Sequence, residues 1–343
     1  MKLAGKRGAP GKVRGWLPLA LLTLLIVAVG AFTTVKQDAF LTEYNLQNLL
    51  LTTMPLALVA IGQTNALLVG GFDVSVAALI TFCVVAASFT MTPEDSGLAL
   101  ALGAAAIVGI GLGTGVFNAT LIRVFRLPSI IATLGTWWIL QGGALLLRDH
   151  PEGPINSDVI EALTTTIGWV PVAFVAVVAL AVLGDLWLYR SRTGLAMRAT
   201  GIDETSARRL GMPTALTVFL AFVACSVFAS LAAFYSAAQV QIGSPILGSY
   251  ALDSIAAAVL GGASLAGGRG SFVGAVLAAL FLTLISNILP LFQWPTEYGQ
   301  IAIGVLILLA LVLYEGPELL RRLRSTRQRV GRLREPTAET PAA

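Results

Sequence analysis

The chain has 343 residues, of which 56% are hydrophobic and only 12% are Asp, Glu, Lys or Arg, about half the charged share of a soluble domain. That composition excludes a soluble globular enzyme and points to an all-α integral membrane protein. The net charge of +4 does not indicate nucleic acid, because the basic residues stand at the ends of apolar runs, where they set topology.

Residues 1–15 read as a basic cytoplasmic N-terminus and 16–314 as one transmembrane domain. Runs of the ~17–25 apolar residues that cross a bilayer predict spans at 16–32, 46–70, 74–92, 98–121, 128–147 and 167–189. A polar stretch at 190–213 intervenes before spans at 216–240, 253–265, 272–292 and 298–314. The eighth is too short to cross, so it either extends back through 246–252 or enters as a broken helix. Residues 315–343 form a basic cytoplasmic tail, expected to be disordered. A cleavable signal peptide is the alternative reading of the N-terminus, but the apolar run is long for one and its removal leaves an odd number of spans. With about ten helices, some broken, and both termini cytoplasmic, every basic residue except Lys36 and Arg148 falls inside.

Within 190–213, Asp203 is placed to cap a helix and Glu204 puts an acid in its first turn. Arg208 and Arg209 fall in the last turn, Gly211 suits a left-handed stop, and Pro213 prevents continuation. This predicts a two-turn helix outside the bilayer, and loops between spans seldom carry such punctuation unless something docks on them.

Gly109, Gly111, Gly113 and Gly115 look like a dinucleotide loop but lie in mid-span with no preceding strand. Their spacing instead pairs Gly109 with Gly113 and Gly111 with Gly115, as in closely approaching membrane helices. The glycine pairs at 70–71, 142–143, 261–262 and 267–268 are expected at breaks and tight turns. No GxxxxGK[ST] run occurs, so no nucleotide or other cofactor is expected. Cys83 and Cys225 lie in apolar runs and His150 stands in a polar loop, so no metal site is expected. Gln63, Asn65, Asp73, Asn118, Thr133, Gln141 and Asn287 are candidates for lining a solute path. The competing role for each is an interhelical hydrogen bond, worth about 0.6 kcal/mol. No span pairs an acid with a base, as ion-coupled carriers often do, and no HExxH or GxSxG motif offers catalysis.

Four blocks stand in order along the chain: GGFDVSVAA (70–78), NATLIRVFRLPSIIATLGTWWILQGGA (118–144), GLAMRATGIDETSARRLGM (194–212) and DSIAAAVLGGASLAGGRGSFVGAVLAAL (253–280). They resemble the GG-[IF]-DLSVG segment, the N-G-x-L-I-x5-P-x-[FI]-I-x-T-L-G block, the cytoplasmic coupling loop and the IAA-x-x-LGG-x-S-x-x-GG-x-G block of membrane permease subunits of ribose-type ABC importers. The chain departs from that pattern at Ala119, Gln141, Leu195, Asp203 and Ser206, although Asp203 keeps the capping role of the usual Asn.

The resemblance implies a multi-pass permease of the bacterial inner membrane, not an enzyme, which forms the path for a pentose- or hexose-like sugar. It implies a cytoplasmic ATP-binding subunit, a second permease chain (identical or paralogous) and an extracytoplasmic solute-binding protein; contact of the tail with membrane lipid is expected from its arginines instead. Coupling to the ATPase would fall to Gly194, Gly201, Asp203, Glu204, Ala207, Arg208 and Gly211. In this reading Ala207 allows close approach, and Arg208 or Arg209 pairs with acids on the partner. The alternatives are an ABC permease for another small solute, such as a branched-chain amino acid, and more distantly an ion-coupled carrier.

Overall fold

The computed structural model describes residues 17–248, 250–306 and 308–309. The expected N-terminal segment 1–15, the end of the tenth span and the tail 315–343 lie outside them. In chain order the elements begin with α1 (Leu17–Lys36), α2 (Glu43–Leu68), α3 (Val76–Thr90), α4 (Leu98–Arg123) and α5 (Ser129–Leu147). A small excursion follows, of β1 (Glu152–Pro154), α6 (Ser157–Thr164), β2 (Thr166–Ile167) and β3 (Val170–Pro171). Then come α7 (Val172–Arg190), α8 (Arg192–Ile202), α9 (Glu204–Arg209), α10 (Thr214–Val240), β4 (Ile242–Gly243), α11 (Tyr250–Leu260) and α12 (Phe272–Leu291). Residues 297–306 are again helical.

Seven helices among the described residues are long and apolar enough to cross a membrane: α1, α2, α4, α5, α7, α10 and α12. The fold is therefore an all-α, multi-pass membrane protein, with β1–β4 and β2–β3 as minor antiparallel pairs. The remaining predicted spans are shorter. At 1.5 Å per residue, α11 reaches only about 16 Å, roughly half of the hydrocarbon layer. It starts after the irregular segment that follows β4, so the broken-helix alternative describes it.

The helices α2 and α10 form the centre, with α3, α4, α11 and α12 around them. Small residues make this possible. A Cβ on Gly62 would lie 2.8 Å from the Cys225 carbonyl oxygen, and one on Gly115 would lie 2.7 Å from Val223 Cα. Gly111 likewise meets Ser230 and the Ser226 carbonyl, so Gly111 with Gly115 is the pair that seats α4 on α10. A Cβ on Gly109 or Gly113 would meet nothing within 4 Å, so the other predicted pair seats no helix among the described residues. The pair Gly142–Gly143 also departs from expectation. It lies inside α5 and marks no turn, because glycine permits a break without requiring one.

Candidate functional site: a glycine joint at the end of the helix bundle

The polar stretch between α7 and α10 folds as two helices. The shorter, α9, matches the predicted punctuation: Asp203 Oδ1 accepts from the Thr205 N–H at 3.0 Å, and Gly211 has φ +79°. The Ser206 hydroxyl on Asp203 holds that carboxyl below its ordinary range. The helix α8 before it was not foreseen. Ser191 Oγ caps it by accepting from the Gly194 N–H at 2.9 Å. A Cβ on Gly194 would sit 2.3 Å from the Leu188 carbonyl oxygen, so the tight passage from α7 into α8 requires glycine.

Glu204 faces the bundle. Its carboxylate accepts from Arg123 at the end of α4 (2.8 and 3.3 Å), from Arg208 (2.6 Å) and from the Thr214 hydroxyl at the start of α10 (3.3 Å). The Arg123 guanidinium is the main cause of a Glu204 carboxyl held below its ordinary value of 4.5. Ala207 is buried within this chain. Arg208 bonds Glu204 yet remains exposed, as does Arg209. Two large apolar side chains flank α9 in solvent, Ile202 at the end of α8 (73% exposed) and Leu210 just after α9 (76%).

The inner face of α8 meets the bundle through buried Ala196, Met197 and Thr200 and, near its C-terminal end, through backbone. A Cβ on Gly201 would lie 1.9 Å from the Leu68 carbonyl oxygen, at the last residue of α2, and 2.5 Å from the Gly268 nitrogen. The Gly268 N–H donates to that same carbonyl at 2.9 Å. Gly267 and Gly268 hold φ +86° and +78° and pack on Gly201 and on the Arg198 carbonyl. Three segments far apart in sequence thus converge on one peptide group. Asp185 and Tyr189 of α7 brace the same loop. Asp185 accepts from Ser271 Oγ (2.7 Å) and the Phe272 N–H (2.8 Å), capping α12, and the Tyr189 hydroxyl donates to the Gly270 carbonyl (2.9 Å).

Beyond Leu68 the chain leaves the helix at Gly70 (φ +79°) and runs irregularly until α3. Four of the predicted path residues come together here. With its amide oriented to match, Gln63 brackets the Asp73 peptide, donating to the carbonyl (3.1 Å) and accepting from the N–H (3.3 Å). Asp73 Oδ1 accepts from the Ser75 N–H at 3.0 Å, which closes an Asx turn. Asn118 of α4 donates to Ser75 Oγ (2.9 Å) and accepts from Thr136 of α5 (2.6 Å), while Thr133 accepts from the Val74 N–H (3.1 Å). Asp73 is fully buried, and its Oδ2 lies beside Cys225 and Ser226 without a well-formed hydrogen bond among the described residues. These groups hold a broken helix in place. The other three stand apart: Asn65 bonds the Ile61 carbonyl of its own helix, Gln141 the Pro245 carbonyl, and Asn287 pairs with Asn45. Sequence reasoning missed Leu68, Arg123 and Ser75. The run GGRG at 267–270, followed by a cap serine, was the available signal for the loop half of the joint.

Residues 45–311 match the family described as branched-chain amino acid transport system / permease component. The chain is 34% identical to the autoinducer 2 import system permease protein of Yersinia enterocolitica, over 76% of this chain and 72% of that protein. It is 32% identical to the ribose import permease protein of Escherichia coli K12, over 85% and 91% respectively. No solved structure matches it.

Proposed function

The chain belongs to the branched-chain amino acid transport system / permease component family of ABC importers, and from that premise we propose that it carries a pentose- or hexose-like sugar across the inner membrane. It is a multi-pass transmembrane permease subunit and not a catalytic subunit. The family description names amino acids, whereas the similar permeases are named for ribose and autoinducer 2; these relatives and the four sequence blocks support the sugar. Ten spans with both termini cytoplasmic agree with the placement of all basic residues but Lys36 and Arg148. The partners are an ATP-binding subunit, a second permease chain and an extracytoplasmic binding protein.

The observation that carries the mechanism is the seating of Gly201 on the Leu68 carbonyl. In our reading, α8 and α9 dock on the ATPase through Ile202, Leu210 and Arg209, and Glu204 with Arg123 holds them to the permease. A stroke delivered there by ATP binding passes through the joint to the end of α2. It then reaches the break at 70–75, which is pinned on its far side by Asp73, Asn118 and Thr133. Alternation between outward- and inward-facing states follows from that bias. The test is uptake in cells expressing the permease together with its ATPase and binding-protein partners. Gly201→Asp combined with Glu204→Arg is expected to abolish ATP-dependent uptake while the protein inserts normally. Normal uptake by that double variant would reject the coupling role.

A further inference from the structure

We propose that the cleft between the first half of α2 and the last half of α12 is a subsite for a neutral, polyhydroxylated solute. This rests on the permease reading above and adds which surface meets the solute and what selects it. On α2, Asn45, Asn48 and Thr52 share one helix face; on α12, Thr283, Ser286 and Asn287 share another. Together they line a cavity of about 300 Å³, at the lower end of the ~300–1,000 Å³ span of small-molecule sites.

Thr52 lies about 13 Å along α2 from Glu43, and Thr283 about 16 Å along α12 from Phe272. The polar stripe therefore runs from the Asn45 end to near mid-depth of helices that cross the bilayer. Asn45 and Asn287 exchange amide hydrogen bonds at 3.0 and 3.3 Å. Asn48 and Thr52 are exposed, and neither they nor Thr283, which is only 7% exposed, bonds its side chain to another described residue. Amides and hydroxyls left bare against hydrocarbon are costly, so this face meets water or a polar solute.

The chemistry of the lining then selects the solute. Among the described residues, no charged side chain lines the cleft. A zwitterionic amino acid would lose hydration at both charges and find no ionic partner. A sugar presents hydroxyls that both donate and accept, and carboxamides and hydroxyls match them in kind. The cleft also stands at the opposite end of α2 from the Gly201–Leu68 contact, so a displacement of α2 acts on both.

The test is solvent access and protection in the full-length chain in cells, where native Cys83 and Cys225 are buried. Thr52→Cys and Ser286→Cys are each treated with a membrane-impermeant methanethiosulfonate, alone and with D-ribose, D-xylose, D-galactose or L-leucine. Both variants are expected to react from outside. A sugar at half occupancy is expected to slow the reaction about twofold, and L-leucine to have no effect. No reaction, or reaction that no sugar slows, overturns the subsite, as does efficient cross-linking of Ser286→Cys to the same position of a second copy. If ATP-dependent sugar uptake persists in any of those cases, the permease reading stands and only the subsite falls. Protection by L-leucine alone would overturn both the polyol chemistry and the sugar reading.

Discussion

Gly201→Ala is the sharpest probe of the joint. The added methyl would stand 1.9 Å from the Leu68 carbonyl oxygen and 2.5 Å from the Gly268 nitrogen, whereas real Cβ contacts essentially never fall below 3.0 Å. Both neighbours are backbone, so no rotamer change relieves the clash, and α8 must retreat by about 1 Å or more. Overpacking of this kind costs about 1–3 kcal/mol. Prying apart the Gly268-to-Leu68 hydrogen bond adds about 0.5–1.5 kcal/mol. Against this, alanine gains up to about 1 kcal/mol in helix propensity. A net cost of about 2 kcal/mol lowers the seated-to-unseated ratio roughly 30-fold, and uptake is expected to fall by up to that factor. The assay is initial uptake of radiolabelled sugar, normalised to protein in the membrane, with Gly109→Ala as control because nothing lies within 4 Å of that position. If Gly201→Ala transports as well as the Gly109→Ala control, the backbone contact does not carry the stroke.

Charge reversal tests the clamp on α9. Glu204→Arg places a cation against Arg123 and Arg208 and is expected to reduce uptake, while adding Arg123→Glu restores part of it; no restoration would mean the pair does not hold the helix. Because Arg123 lowers the Glu204 pKa in the folded state, the clamp is fully present above the ordinary value of 4.5 and is lost only as pH falls through the lowered folded value. ATPase-stimulated conformational exchange in reconstituted complexes is therefore expected to be insensitive to this group from pH 8 down to about 5, and a clamp-dependent transition near neutrality would contradict the assignment. At the break, Asp73→Ala removes the acceptor for the Ser75 N–H and is expected to cost about 1–3 kcal/mol, read as a lowered melting temperature in detergent. Asp73→Asn keeps an acceptor of the same shape and should lose less; equal losses would refute the hydrogen-bonding role.

The parts of this protein that were legible in sequence are those encoded locally. Long apolar runs announce the spans because a bilayer leaves few other solutions. The cap at Asp203 and the stop at Gly211 were readable because capping is decided within a few residues. The helix α8 was not, since Gly194 and Gly201 lower its intrinsic propensity and its position is set by contact with Leu68 and Gly268. The same limit explains the uneven outcome for polar residues. Asn65 and Asn118 are the same residue type in similar apolar settings, yet one turns back to its own helix and the other bridges three segments. Only the packing of α2, α3, α4 and α5 distinguishes them. The burial of Ala207 was not legible either, because small size is equally suited to an inward and an outward contact.

In the proposed mechanism Gly70 separates the moved part from the fixed part. Leu68 receives the joint two residues before it, and Asp73 is pinned to α3, α4 and α5 shortly after. Side-chain clamps such as Glu204 with Arg123 can absorb a displacement by rotating, whereas a backbone-to-backbone contact cannot, so motion at Gly201 has to be taken up where the chain is permissive. Gly70 has φ +79°, and a Cβ there would touch nothing within 4 Å. Any effect of substitution is then conformational and not steric packing. Valine is forced into a left-handed backbone at a cost of about 1–2 kcal/mol, while Asn tolerates that region better. Gly70→Val is expected to impair uptake several-fold more than Gly70→Asn, with both proteins equally abundant in the membrane. Should Gly70→Val transport as well as the unmodified chain, the backbone at this position does not need its left-handed conformation, and the stroke must be absorbed elsewhere.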